Sequence, residues 1–550
     1  MMYFVVAASV TGQRLQDQVV ELIGSLEFQY SNHPGVIVSV IHKDETFTEH
    51  TGLSNLEYEL PISGKSMFDI ASLSKQFTGY CIAKLELEGQ LSTEDFLLQY
   101  FPELHSSFSA IQLKHLIYHS SGIRDIGELF DVGHFGTDLT AEKTIEIIVK
   151  QRGLNFEPGS AYSYSNTNYV LLALIVEQVS NLSFTEYCRK YIFDQFEMKS
   201  SMVNDCPKSL ITNRAIAYYQ DEQGYTYNQN NGMSLIGSSA MFSTSEDLTQ
   251  WCIAFLKGSS SDAIFQKMIQ PPGPDTGDSF YGYGIASEYQ FGQHLLVHSG
   301  STPAGFRSAI VMIPDQDFAI VALSNYGNID LQGQLIQPIL FSLFGSDVAP
   351  QVSEVTEVNS DSYDMSSTQM EAFVGEYLFN GERKVQIRLD KNGLTVQPEG
   401  APQMMLTPIS EGVLDIPDFR SQLHFDKLVD GKYAIATIRQ GEQVAGNLER
   451  VQFVEEYDSK TSYAGLFHSK ELGLYWTIDS KDGQLMIEDT KHGVFHLYPK
   501  TKTVFTSNDQ NGFTVEFDIV ADQVQSFRLS RGDRLRNLLF QKLNLREGSD

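Results

Sequence analysis

The chain is poor in basic residues and in cysteine, and it has no long apolar run. Lys and Arg number 39 against 69 Asp and Glu, a formal net charge of −30 over 550 residues. Such a field repels polyanions, and no dense Lys/Arg stretch interrupts it, so nucleic acid is not expected as a partner. The surplus reads as solvation of a large surface. No segment approaches the about 20 consecutive apolar residues that a membrane-spanning helix needs. The four cysteines, Cys81, Cys188, Cys206 and Cys252, include no C-x-x-C pair, and no histidines cluster at metal-ligand spacing. Neither a metal nor another cofactor is expected. Cys81 and Cys188 lie in apolar helical patterns and read as buried thiols, with a disulfide left open as the alternative.

What is present suffices for several globular cores. Hydrophobic residues make up 42% of the chain, and its length suggests about three domains of roughly 150 residues each. The first nine residues, Met1 to Ser9, are apolar and end in small side chains but lack a basic start. They fit either the remnant of a signal peptide or the start of a mature chain.

One short motif stands apart. Ser72-Leu73-Ser74-Lys75 is the sole Ser-x-x-Lys in the sequence. Phe77, Tyr80, Cys81, Lys84 and Leu85 follow at helical spacing until Gly89, so Ser72 is expected at a helix N-terminus. Residues three apart on a helix are surface neighbours, which brings the Lys75 amine within reach of the Ser72 hydroxyl. That is a nucleophile with its base, beside N–H groups and a dipole end that favour developing negative charge. A capping serine followed by a solvated lysine would look the same in isolation. A lysine with the ordinary pKa of about 10.4 is also protonated at neutral pH, so burial or a second cation must act on it.

Two later motifs supply context. Tyr164-Ser165-Asn166 follows the turn signal Glu157-Pro158-Gly159 and precedes an apolar run, Tyr169 to Ser180, that reads as a buried helix. His298-Ser299-Gly300 ends a strand-like stretch that starts at Gln293, ahead of the turn Thr302-Pro303-Ala304-Gly305. Tyr-x-Asn recurs at Tyr30 and Tyr326, and His-x-Gly at His33 and His134, so only position in the pattern separates the copies.

With these motifs in order, the first 345 or so residues resemble the serine β-lactamase and penicillin-recognising enzyme superfamily, in the branch of class C β-lactamases, D,D-carboxypeptidases, D-aminopeptidases and related esterases. The flanks Phe68 to Phe77, Leu116 to Gly122 and Gly237 to Thr244 carry the same resemblance. It implies that Ser72 is the acylated nucleophile and that Lys75 helps deprotonate it. It further implies that Tyr164 shares proton transfer and protonates the leaving group, and that Asn166 hydrogen-bonds Lys75 and the substrate amide. Backbone N–H groups of Ser72 and Ser301 would form the oxyanion hole, with Ser299 and Gly300 beside the substrate. His298 stands where class C β-lactamases carry Lys, so the permanent cation is lost and efficient β-lactam hydrolysis is not expected. The function implied is acyl-enzyme hydrolysis of an amide, peptide or ester, with D-amino-acid peptides, including cell-wall peptides, as the favoured substrate. An esterase of the same fold, or a non-catalytic binder of penicillin or peptidoglycan fragments, are the alternatives. The resemblance also implies a periplasmic or secreted location over a cytoplasmic one.

The expected architecture is an α/β domain over residues 1–345, an antiparallel sheet flanked by helices with a helical subdomain. Its strands are Val36 to His42, Thr46 to Thr51, His294 to Ser299, Phe306 to Ile313 and Phe318 to Ser324, and the amphipathic Leu331 to Phe344 closes it. Residues 346–368 lose periodicity and read as a linker. Beyond them, Phe373-Val374-Gly375-Glu376-Tyr377 is echoed by Tyr463-Ala464-Gly465-Leu466-Phe467, and each is followed by two strands joined at Asn392-Gly393 or Asp482-Gly483. A tandem pair of small antiparallel barrels follows, residues 369–456 and 457–550. These resemble the lipocalin-like modules appended to some members of the same branch, where a barrel loop can reach the active site, and they are expected either to gate the site or to serve as stabilising or partner-binding modules. Oligomeric state is not legible.

Overall fold

The runs Val36–His42 and Phe318–Ser324 are apolar except at Ser39, His42 and Ser324 and are buried at every position but His42, which suits strands covered on both faces. They pair antiparallel, with Val36 opposite Ser324 and His42 opposite Phe318, so the beginning and end of the first unit meet inside one sheet. In this computed structural model the described residues are 12–344 except 27–31, 44, 134, 137, 228–232, 274–275 and 278; 365–450 except 380–382, 392, 399–402, 417–420, 430 and 441–442; and 462–543 except 482–483, 490–492 and 508–511. The chain divides into two compact units, Met1–Pro350 and Gln351–Asp550.

The sheet of the first unit has seven strands, ordered Phe280–Tyr281, Ala286–Gln290, Gln293–Ser301, Arg307–Ile313, Phe318–Ser324, Val36–His42 and Glu45–Thr51, all antiparallel. Leu15, Val19 and Ile23 of the Gly12–Gly24 helix, with Ile339 and Leu340 of the Gln337–Phe344 helix, pack on Val36, Val38, Val40, Ile320 and Ala322. The helix Ser245–Gly258 meets the same central strands. The strand expected over His294 to Ser299 runs from Gln293 to Ser301. Its last four residues are paired with the Arg307–Ile313 strand alone, because pairing with Ala286–Gln290 stops at Val297. That leaves one edge open at the site.

The helix Ser74–Leu87 is buried almost all round, from Ser74 to Ala83 and at Leu85, as a helix at the centre of a unit must be. Phe77 and Tyr80 enter an aromatic cluster with Trp251, Phe193, Phe196 and Phe265. The helix ends at Glu88, and Gly89 takes the left-handed conformation, φ 69°, that lets the chain turn away. Gly79 faces the backbone of Tyr283, where an added Cβ would lie 2.0 Å from the carbonyl oxygen.

In the second unit, Met365 is buried in the first barrel's core and Ser366 caps the short helix Ser367–Glu371. Residues 365–368, expected in the linker, therefore belong with the barrel; the other linker residues from 346 lie outside the described residues, as do Asn392 and the Asp482-Gly483 turn. The first barrel begins at Gly375–Phe379, which pairs with the last strand, Gln443–Arg450. Its only free edges among the described residues are Met404–Met405 and Thr407–Ser410, two neighbours in sequence separated by Leu406. The ring is thus nearly closed. The second is a closed barrel of eight strands from Gly465–Ser469 to Leu535–Lys542, with Phe467 opposite Lys542. Phe467, Trp476, Phe505, Phe517, Phe527 and Phe540 are buried in it.

Gly79 provides a test of how tightly the central helix is held. Alanine gains about 1 kcal/mol over glycine in a helix interior, whereas forcing a methyl into a close-packed contact costs about 1–3 kcal/mol. Gly79→Ala should therefore lower the melting temperature; an unchanged or raised value would show that Tyr283 can move aside.

Candidate active site

Ser72 stands in a single 3-10 turn, Ala71–Leu73, that runs directly into the Ser74–Leu87 helix, so the expected helix start lies two residues later than Ser72 itself. Ala71 has φ 49°, an unfavourable left-handed conformation for a residue with a Cβ. Asp69 holds it by accepting the Ala71 N–H at 2.9 Å, and Ser74 Oγ donates to Ala71 O at 2.6 Å. From outside, Ser308 Oγ donates to Ile70 O at 2.8 Å. Gly300 lies against the same turn: an added Cβ would come within 2.7 Å of Ile70 O and 2.9 Å of Ala71 Cβ. The glycine of His-x-Gly is thus what lets the strand approach the serine turn.

Lys75 is fully buried. Its Nζ donates to Ser72 Oγ at 3.2 Å, to Asn166 Oδ1 at 2.8 Å and to Ser238 O at 2.8 Å. It also lies 4.7 Å from the centroid of the Tyr164 ring. Ser72, Lys75, Tyr164 and Asn166, noted in the sequence at wide separations, are therefore brought together. Ser238 was not expected as a partner. Its carbonyl is delivered by a tight loop in which Thr78 Oγ1 donates to Gly237 O at 2.7 Å and Gly237 packs on the Tyr169 carbonyl.

The helix Asn166–Ser180 begins three residues earlier than its apolar run implied, and a distant segment fixes its start. Buried Asp125 accepts the Asn166 N–H at 2.5 Å and the Gly127 N–H at 2.9 Å. His119, at φ 54°, accepts the Ser165 N–H on Nδ1 at 3.2 Å, and its ring lies 4.3 Å from that of Tyr164. Thr167 Oγ1 donates to Arg124 O at 2.8 Å. Asp125 and His119 carry no recognisable spacing to Asn166; the sequence signal was only the segment Leu116 to Gly122, which has no chemistry of its own.

His298 is buried and neutral. Burial, and then the nearby Lys75 charge, push its pKa down to about 3. Its Nδ1 donates to Ser299 O at 2.7 Å, and its Nε2 is 2.7 Å from Tyr281 Oη, which must then be the donor. Tyr281, also buried, lies among His119, Tyr164 and Tyr169. Ser299 and Ser301 are exposed and Gly300 is buried on the strand's open stretch. Among the described residues no group of three or more His, Cys, Asp or Glu side chains could hold a metal ion.

The sequence pattern of the beta-lactamase family matches residues 23–332, and the chain belongs to that family of serine hydrolases. It is similar to penicillin-binding protein 4* of Bacillus subtilis (strain 168), with 25% identity over 399 residues, 68% of this chain and 86% of that protein. Among solved structures it is similar to the octameric penicillin-binding protein homologue from Pyrococcus abyssi, with TM-score 0.54 and 21% identity over 88% of this chain and 99% of that one. It is also similar to a D-stereospecific amidohydrolase from Streptomyces sp., with TM-score 0.50 and 18% identity over 60% of this chain and 98% of that one. Likeness at this level of identity speaks for the fold.

Asp69 and His298 should leave opposite marks on stability. Burial raises the Asp69 pKa to about 6, so the native state holds the proton more tightly than the unfolded chain and stability rises as pH falls from about 6 towards 3.8. For His298 the unfolded chain takes a proton below about 6.5 that the native state refuses until about 3, so stability falls over that range. Each slope is roughly 1 kcal/mol per pH unit. Urea unfolding at pH 6, 5 and 4 should show Asp69→Asn losing stability on acidification faster than wild type, and His298→Asn more slowly. Parallel pH curves would contradict the assignment.

Proposed function

We propose that the protein is a serine hydrolase that works through an acyl-enzyme at Ser72 on amide or peptide substrates containing a D-amino acid. The observation that supports this best is the set of partners around the Lys75 amine. As an ammonium it has three donors for three acceptors. As a neutral amine it gives its two N–H groups to Asn166 Oδ1 and Ser238 O, and its lone pair is left for the Ser72 hydroxyl proton.

In this reading Ser72 Oγ attacks the substrate carbonyl carbon as its proton passes to Lys75. The oxyanion is met by the backbone N–H groups of Ser72 and Ser301, the first at the start of the central helix and the second on the open strand edge. Collapse breaks the C–N bond, and the leaving amine takes a proton from Tyr164, which Lys75 reprotonates. Water then attacks the acyl carbon as the same groups accept its proton, the bond from Ser72 Oγ to that carbon breaks, Ser72 takes the proton back, and the acid is released. The D-amino-acid preference rests on the similarity to penicillin-binding proteins and to a D-stereospecific amidohydrolase. The neutral His298 supports a peptide or amide substrate over efficient β-lactam turnover, as its imidazole offers no positive charge.

Ser72→Ala should abolish covalent labelling by a fluorescent penicillin or fluorophosphonate and turnover of a D-alanine amide. Lys75→Met should cut the rate of acylation by roughly 10²–10⁴-fold, the usual contribution of general-base catalysis. Turnover that persists in Ser72→Ala would remove this reading.

A further inference from the structure

We infer that Tyr281 and His298 together set the substrate class, so that the site takes chains whose leaving-group end is uncharged, an amide or an ester, in preference to a free carboxylate. This rests on the acyl-enzyme reading, in which Tyr164 serves the leaving group. The His298 ring lies 6.3 Å from the Tyr164 ring, so what His298 presents is what the leaving-group end meets.

His298 has nothing to offer an anion. One ring nitrogen donates to Ser299 O and the other accepts from Tyr281 Oη, so neither N–H nor charge is left for a ligand. Tyr281 is buried and donates along that bond, and its neighbours Tyr164 and Tyr169 are phenol rings that bring no cation. The nearby cation, Lys75, is already engaged with Ser72, Asn166 and Ser238.

The arginines of neighbouring segments already make hydrogen bonds or ring contacts within the fold. Arg307, opposite Ser301 in the sheet, donates to Phe306 O at 2.9 Å and to Gly327 O at 2.5 Å, and lies over the Tyr219 ring. Arg214 lies over Phe242, and buried Arg124 donates to Gln151 Oε1 at 2.8 Å. What the open strand does present is the exposed Ser299 and Ser301. A hydroxyl can both donate to and accept from a carboxamide, whereas it can only donate to a carboxylate. A carboxylate would leave water with no cation on the strand that carries Ser299 and Ser301 and no N–H from His298, which is costly, and the protein's net charge of −30 adds a repelling field.

The test is equilibrium binding of N-acetyl-D-alanyl-D-alanine and of its C-terminal amide to the full-length Ser72→Ala protein, which reads recognition without turnover. The amide should bind as tightly as the acid or more tightly. Adding His298→Lys should improve acid over amide roughly tenfold, the effect of one charge-assisted hydrogen bond. Adding Tyr281→Phe, a milder change that leaves His298 Nε2 as a free acceptor for a carboxamide N–H, should move the ratio the other way, towards the amide. Tighter binding of the acid to Ser72→Ala alone, no binding of the amide at millimolar concentration, or a ratio unmoved by both added changes would overturn the inference. Failure of the acyl-enzyme reading would register separately, as loss of Ser72-dependent labelling in the otherwise unaltered protein.

Discussion

A primary amine buried at the centre of the first unit constrains everything around it. Withdrawing Lys75 from water is unfavourable unless its donors are met, and no single secondary-structure element can meet them. Its acceptors come from three separate stretches: the serine turn, the start of the Asn166–Ser180 helix and the loop ending at Ser238. Each stretch is fixed in turn by a group further out, by Asp69 on Ala71, Asp125 on Asn166 and Thr78 on Gly237. The fold can be read as the apparatus that brings these three acceptors to one nitrogen. The same arrangement that satisfies the amine sets it beside the Ser72 hydroxyl and the Tyr164 ring.

A second constraint follows from placing a strand and a helix so close together. Gly300 and Gly79 both stand where a methyl group would strike backbone, the first against the serine turn and the second against Tyr283. Between them they bring the open strand and the segment carrying Tyr281 and Tyr283 onto the central helix. The resulting pocket wall is aromatic and polar without being charged: Tyr164, Tyr169, Tyr281, His119 and His298. In such surroundings histidine is far easier to hold neutral than lysine would be, because burial and a neighbouring cation both act against its charge. His298 therefore fits this wall as a neutral hydrogen-bonding group.

Much of this was legible before any coordinates. The strands from Val36 and Phe318, the helix ending at Gly89 and the junctions at Ser72 and Tyr164 follow from periodicity and turn residues, which are local properties. Ser72, Lys75, Tyr164 and Asn166 were legible because serine-lysine spacing and polar residues at helix starts have chemical meaning on their own. Ser238 was invisible because it acts through a carbonyl that every residue has. Asp125 and His119 were invisible because their partner is a backbone N–H forty or more residues away. Tyr281 could not be found because its role exists only once His298 is seen to be buried. The strand at His298 was expected two residues too short for a similar reason: Gly300 has weak strand preference, and pairing with Arg307–Ile313 overrides it.

The second unit shows a different balance between local signal and closure. The echo between Phe373–Tyr377 and Tyr463–Phe467 becomes two strands that start at Gly375 and Gly465, each pairing with the last strand of its own ring. Around the second ring, alternating large side chains fill the interior, among them Phe527 stacked on Phe540 at 4.7 Å. The first differs at its fourth position, where Met404–Met405 and Thr407–Ser410 occupy the place of one strand in its sister. Leu406 between them donates its N–H to Leu394 O, so the interruption falls between two short strands that both abut their neighbours. An opening confined to four and two residues exposes little unpaired backbone to pair with another strand. Closure was inferred from the need to remove sheet edges, and the seam shows how small an edge that need leaves behind.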